Sequence, residues 1–357
     1  MRVTTLLLAA AIAATATLSS AQIAPAPAAG SYKLLRTEKV GGPGNWDYCF
    51  ADALTRRLYI PRGNRITIFD LDTLKSVGEI PGTPNVHGVA VDPVSHHAFS
   101  SSRPITMWDS QTLKVLKTMD VEGSPDGILL DPGSGKVLIL SHRSPNVTAI
   151  TAADGTIAGT LDLGGEPEEA ASDGKGRVYI DLEDQDKVAV VDTKAMKVVT
   201  SYGLEGKGGG PAGLALDAEN HVLFVACHDP ATCVVLNAET GAVLATLPIG
   251  QGVDAAEFNP VTKEAFISTG DGVLTVIKEN SPTAFVVEQS VATKRGARTS
   301  TLDATTGNIY LVTADYAAPT PAAASQPGGA STPPTTRRGR GRGTMVPESF
   351  TILEVGK

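Results

Sequence analysis

Six polar residues recur at nearly even intervals along this chain. They are Asp47, His87, Asp126, Glu168, Asp254 and Arg298. With Ala212 filling the one gap, successive steps are 40, 39, 42, 44, 42 and 44 residues. If a fold gathers these residues at one end, their carboxylates offer hard oxygen ligands suited to Ca²⁺ or Mg²⁺. Their mixed charge suits a small polar ligand, a peptide or a partner protein. His87 and Arg298 in the same series argue against a cage dedicated to a cation. A second set, Arg103, His142, Arg143 and His228, falls in hairpins expected at the same end, and Glu169 adjoins Glu168. The candidate ligand-binding residues are therefore Asp47, His87, Arg103, Asp126, His142, Arg143, Glu168, Glu169, His228, Asp254 and Arg298. No G-x-S-x-G elbow, H-E-x-x-H pair or P-loop is present, so no catalytic residue is nominated.

Five residues beyond each position of the first series stands Asp or Asn: Asp52, Asp92, Asp131, Asp173, Asp217, Asn259 and Asp303. Each closes a short apolar stretch, as in Gly88-Val89-Ala90-Val91-Asp92. A Pro/Gly/Ser-rich turn follows, then a second apolar strand, a third that mostly ends on an acid or amide, a Thr/Gly turn and a fourth strand. Seven such units at a period near 40 predict an all-β seven-bladed propeller with four antiparallel strands per blade. The two-residue alternation predicts one buried face per strand. The 37 glycines and 23 prolines exclude a helical reading. The polar series then lies where each innermost strand begins, around the mouth of a central channel.

The seventh unit lacks a fourth strand, and Tyr32–Gly42 reads as a spare one. The last blade is thus expected to be closed by the N-terminal strand, which removes an open sheet edge. Residues 1–21 read as a secretory signal peptide, with Met1-Arg2 ahead of an Ala-rich apolar run and small residues before Gln22. Residues 22–31 form a flexible leader, and residues 32–357 form the propeller. The expectation is an exported, periplasmic or secreted monomer with no transmembrane segment in the mature chain. A net charge of −8 argues against nucleic acid as the main partner. Residues 317–348 interrupt the last blade with a Pro/Ala/Gly/Arg-rich insertion, expected to be disordered. Its Arg337, Arg338, Arg340 and Arg342 could hold an anionic polymer.

Cys227 and Cys233 bracket a hairpin. A disulfide, two free thiols, or metal binding with His228 all fit the spacing, and export favours the disulfide. Trp46 precedes Asp47 and could either touch a ligand or cap the innermost layer.

The stretch "LYIPRGNRITIFDLDTLKSVGEIPGTPNVHGVAVDP" and the later "IYLVTAD" resemble the YVTN-type (YncE-like) β-propeller repeat. That resemblance implies an exported propeller with a binding or scaffolding role. The chain departs from the repeat at Trp46-Asp47-Tyr48 and at Glu168-Glu169. The expected function is binding or scaffolding through the charged mouth. The alternative is a metal-dependent, lactonase-like hydrolase with a divalent cation on the propeller axis.

Overall fold

Leu58, Tyr59 and Ile60 are consecutive residues of one strand, and all three are fully buried. Neighbouring side chains of a strand point to opposite faces. Leu58 and Ile60 join a cluster with Tyr310 and Ile352, whereas Tyr59 joins one with Trp108. Such a strand has another sheet against each face. This arrangement runs throughout the computed structural model, which describes residues 31–317 and 344–357.

Seven four-stranded antiparallel sheets make up the fold. The innermost strands are Phe50–Asp52, Val89–Asp92, Pro125–Asp131, Pro167–Ser172, Pro211–Asp217, Val253–Asn259 and Ser300–Leu302. Each touches the innermost strand of the next blade, and the seventh touches the first, so the sheets close into a ring. Seven hydrophobic clusters sit between the blades, one at each junction. A fully buried Ile, Leu or Phe there stabilises the fold by about 1.5–3 kcal/mol. One buried face per strand therefore understates the burial. Only outer strands such as Lys197–Gly203 are largely exposed. Middle strands such as Val222–Cys227 are buried throughout.

The last blade is built from both ends of the chain. Lys33–Lys39 pairs antiparallel with Thr351–Gly356, from Lys33 opposite Gly356 to Lys39 opposite Thr351. Tyr32 anchors the start of this strand on the sixth blade. Its ring packs edge-on against Phe266 at 5.1 Å, and its backbone exchanges two hydrogen bonds with the Gln289 side chain. A strap, residues 40–49, then crosses to the first blade. Arg62, only 2% exposed, donates to the carbonyls of Gly41, Gly42, Pro43 and Gly44 and lies 3.6 Å over the Phe350 ring. Gly44 adopts a φ of +109°, and a Cβ there would come within 2.7 Å of the Arg62 carbonyl. Glycine is what lets the strap lie so close.

The repeat Asp and Asn residues fold the turn after each innermost strand. Asp92, for instance, accepts hydrogen bonds from the Val94 and Ser95 amides and the Ser95 hydroxyl. Several also tie blades together: Asp303 takes both its oxygens to Arg56 at 2.8 Å, and Asp217 meets Lys263 at 2.8 Å.

Among the described residues there is no α-helix long and apolar enough to cross a membrane. The expected signal peptide, nearly all of the leader, and Arg337, Arg338, Arg340 and Arg342 lie outside the described residues. Of the insertion, the two described ends meet. Tyr316 bridges Met345, and the Ala317 amide donates to the Thr344 carbonyl at 2.9 Å.

Candidate functional site at the channel mouth

The polar series gathers as the spacing requires, because each member lies at or just before the start of an innermost strand. Asp47 and His87 precede the first and second innermost strands. Asp126 opens the third and Glu168 the fourth, and His142 comes from the hairpin between the two middle strands of the third blade. These five form one connected row. His87 Nδ1 is 2.8 Å from Asp47 Oδ2 and 3.2 Å from Asp126 Oδ1. His142 Nε2 is 3.5 Å from Asp126 Oδ2 and 2.8 Å from Glu168 Oε2. The Tyr48 hydroxyl donates to Glu168 Oε1 at 2.6 Å. Gly127 brings the third and fourth blades together here. A Cβ on it would come within 2.6 Å of the Glu168 carbonyl oxygen.

Across the mouth, Arg298 Nε pairs with Asp254 Oδ2 at 2.8 Å. Between the two groups lies a cavity of about 270 Å³, lined also by Glu183, Ala212 and His228. Below it, a second cavity of about 330 Å³ runs down the axis and takes residues from all seven innermost strands.

Charge in the row is strongly coupled. The bond to Glu168 raises the pKa of His142 to about 9, against the opposing effect of burial. Burial works against charge on His87 too, but its bond to Asp47 and the nearby carboxylates outweigh it, so the imidazole holds its proton above the usual range. Burial and the neighbouring carboxylates push Asp126 up to about 6. Glu168 moves the other way. Its burial is more than offset by hydrogen bonds from His142 and Tyr48. One row thus mixes groups that readily give up and readily accept protons.

The axial cavity carries two more acids. Glu169 accepts hydrogen bonds from the Leu214 and Ala256 amides, and its own amide donates to Asp181 at 2.7 Å. Burial holds its carboxyl well above the carboxylate range. Glu257 faces the same cavity, and burial raises its pKa to about 8.

Eight of the sequence candidates therefore border the mouth cavity or belong to its row of linked side chains: Asp47, His87, Asp126, His142, Glu168, His228, Asp254 and Arg298. Glu169 points into the channel body below. Arg103 is exposed and donates to the Gly123 carbonyl at 2.9 Å, and Arg143 is exposed on its loop. Trp46 caps the core. It is 8% exposed and packs against Phe350 and Tyr316. Tyr48 and Glu257 were not nominated from sequence. The signal for both was available: each interrupts a small apolar innermost strand or the lead into one.

The disulfide expectation is overturned. Cys227 and Cys233 are free and buried. Cys227 pairs with Thr232, and Ala226 pairs with Cys233. The two cysteines therefore sit one step out of register and face opposite sides of the sheet. Cys227 packs toward the fourth blade and Cys233 toward the sixth. Facing pairs alone bring Cβ atoms within bonding reach.

No family model and no curated protein matches this chain. Solved structures do. The WD40 repeats of RRP9 superpose with a TM-score of 0.70 at 12% identity, covering 93% of this chain and 99% of that one. A chain of a mitotic checkpoint complex gives 0.68 at 13%, covering 85% and 96%. A functionally unknown protein from Desulfotomaculum acetoxidans DSM 771 gives 0.61 at 13%, covering 70% and 86%. Identities this low speak for fold alone. With the ring of seven four-stranded sheets, they establish the chain as a seven-bladed β-propeller.

Proposed function

We propose that this protein is an exported, YVTN-type propeller that acts as a binding or scaffolding protein, with the channel mouth as its working face. The observation that carries the reading is the row Asp47–His87–Asp126–His142–Glu168, brought together from four blades beside a 270 Å³ cavity. The row links neighbouring blades, but apolar clusters already fill all seven junctions. The row places half-buried polar groups on a surface open to solute.

The lining favours a small polar molecule carrying both charges. Three carboxylates stand on one side of the mouth, and Arg298 with Asp254 on the other. An amino acid or short peptide has groups for both sides. Propellers in assemblies are represented among the similar structures by the mitotic checkpoint complex chain, which supports a peptide or protein partner as well. The arginines at 337, 338, 340 and 342 offer a second, anionic-polymer contact on the same chain.

A thermal-shift panel of free amino acids and short peptides tests the reading. Ligands that prefer the native state raise its melting temperature. The expected result is a concentration-dependent rise with wild-type protein that Asp126→Asn abolishes. A silent panel, or a rise unchanged in Asp126→Asn, overturns it.

A further inference from the structure

His87 presents a single ring nitrogen to two carboxylate oxygens. Nδ1 faces Asp47 Oδ2 at 2.8 Å and Asp126 Oδ1 at 3.2 Å. His142 does the same through Nε2, which faces Glu168 Oε2 at 2.8 Å and Asp126 Oδ2 at 3.5 Å. A ring nitrogen carries at most one proton, and that proton lies along one direction. It serves one oxygen well and the other poorly. Three potential ligand atoms gathered this closely are also a donor set that a divalent cation satisfies by displacing the imidazole proton. Within each trio all three ligand atoms lie within 4.8 Å of one another. Bonds of about 2.0–2.2 Å to one ion place neighbouring ligands roughly 3–3.5 Å apart, close to the spacings present.

The two trios share Asp126, and they use different oxygens of it. A carboxylate used in this way bridges two ions, and two-metal sites hold their ions about 3.5–4 Å apart. We propose that the mouth holds a carboxylate-bridged pair of divalent transition-metal ions. One ion sits on Asp47, His87 and Asp126, and the other on Asp126, His142 and Glu168.

The donors select the metal. Each ion receives one imidazole nitrogen and two carboxylate oxygens. Ca²⁺ prefers six to eight oxygens, whereas imidazole suits Zn²⁺ and its neighbours. Three protein ligands leave a position open, as in zinc sites that bind an exchangeable molecule. Tyr48 supports the site from behind. Its hydroxyl occupies Glu168 Oε1 and leaves Oε2 turned toward the second ion. This inference deepens the binding reading and rests on it, because the open positions are where an anionic group of the ligand would attach.

The test counts ions. Full-length chain is stripped with chelator, dialysed against Zn²⁺ or Ca²⁺ at neutral pH, and its metal content read by inductively coupled plasma mass spectrometry, with calorimetry for stoichiometry. Far-UV circular dichroism confirms that each variant is folded. Two Zn²⁺ per wild-type chain are expected, with about one remaining in His87→Gln and one in His142→Gln. Glu168→Gln provides a second variant for the same half-site as His142→Gln. Asp126→Asn should lose the pair. Fewer than two Zn²⁺ on wild type, two ions retained in both histidine variants, or tighter binding of Ca²⁺ than of Zn²⁺ overturns the proposal. If wild type binds no Zn²⁺ while Asp126→Asn still abolishes the response to amino acids and peptides, the metal pair fails and the binding reading stands. Two Zn²⁺ with a silent ligand panel gives the reverse.

Discussion

The Tyr32 hydroxyl donates to the Glu264 carboxylate at 2.6 Å across 232 residues of chain. Lys357 reaches the other oxygen of the same carboxylate at 3.0 Å. One buried acid of the sixth blade thus holds Tyr32, just before the closing strand, and Lys357, just after the strand it pairs with. Losing one partner of a buried hydrogen bond costs about 1–3 kcal/mol. Tyr32→Phe should lower the unfolding free energy by that amount, read from the shift of the denaturant midpoint at constant slope. Deleting residues 32–39 should cost far more, because it bares the edge of Thr351–Gly356. An unchanged midpoint in the deletion would show that the ring does not depend on its N-terminal strand.

Arg62 is the second fastening. Its guanidinium serves four strap carbonyls and stacks on Phe350. Lysine keeps the charge but lacks the planar fork. Arg62→Lys is expected to lose at least about 2 kcal/mol of stability in urea unfolding. It should also loosen the strap that carries Asp47 and Tyr48, seen as faster amide exchange at those residues. Wild-type exchange rates there would separate the strap from the site.

Glu257 should make the protein less stable as pH rises. Burial raises its folded pKa to about 8, well above the ordinary value of 4.5. Between those two values the folded state keeps a proton that the unfolded chain has released. Stability from this group is therefore full below pH 4.5 and is lost progressively up to about pH 8. Glu257→Gln removes the dependence. Its melting temperature relative to wild type should climb from pH 5 to pH 8 and level off above that. A constant difference across this range would count against the assignment.

Asp303 has the opposite sign. Burial alone would raise its pKa, but hydrogen bonds from Arg56, Thr306 and the Thr305 amide outweigh burial and hold it below the usual carboxylate range. Its contribution is present above the unfolded value of about 3.9 and is lost as pH falls through the lower folded one. Asp303→Asn should be less stable than wild type by about 1–3 kcal/mol at pH 7, and the gap should close toward pH 2. Chemical unfolding at pH 7 and at the acid end measures both.

The ring was legible because its signal is repeated. Seven Asp or Asn residues at a period near 40 mark seven turns, and each does fold a turn with its own side chain. The spare strand at Tyr32–Gly42 was legible because the seventh unit was one strand short. Burial was harder to read. Alternation suggests a single buried face, yet Leu58-Tyr59-Ile60 lies between two blades, and a continuous apolar run is what such a strand needs. The mouth positions followed from the same period, but their partners did not. That His87 and His142 share Asp126 depends on loop directions and on the close approach at Gly127, neither of which has a periodic signature. The cysteines misled because spacing across a hairpin does not reveal register, and one step of register turns a side chain to the other face.

Native mass spectrometry of the full-length chain, purified without denaturation, addresses the mouth most directly. Wild-type protein should carry a small polar adduct that collision releases. Asp126→Lys and Asp254→Asn, each folded by circular dichroism, should have lost it. A wild-type chain that carries nothing, or an adduct that persists in both variants, would remove the mouth as the place where this protein binds.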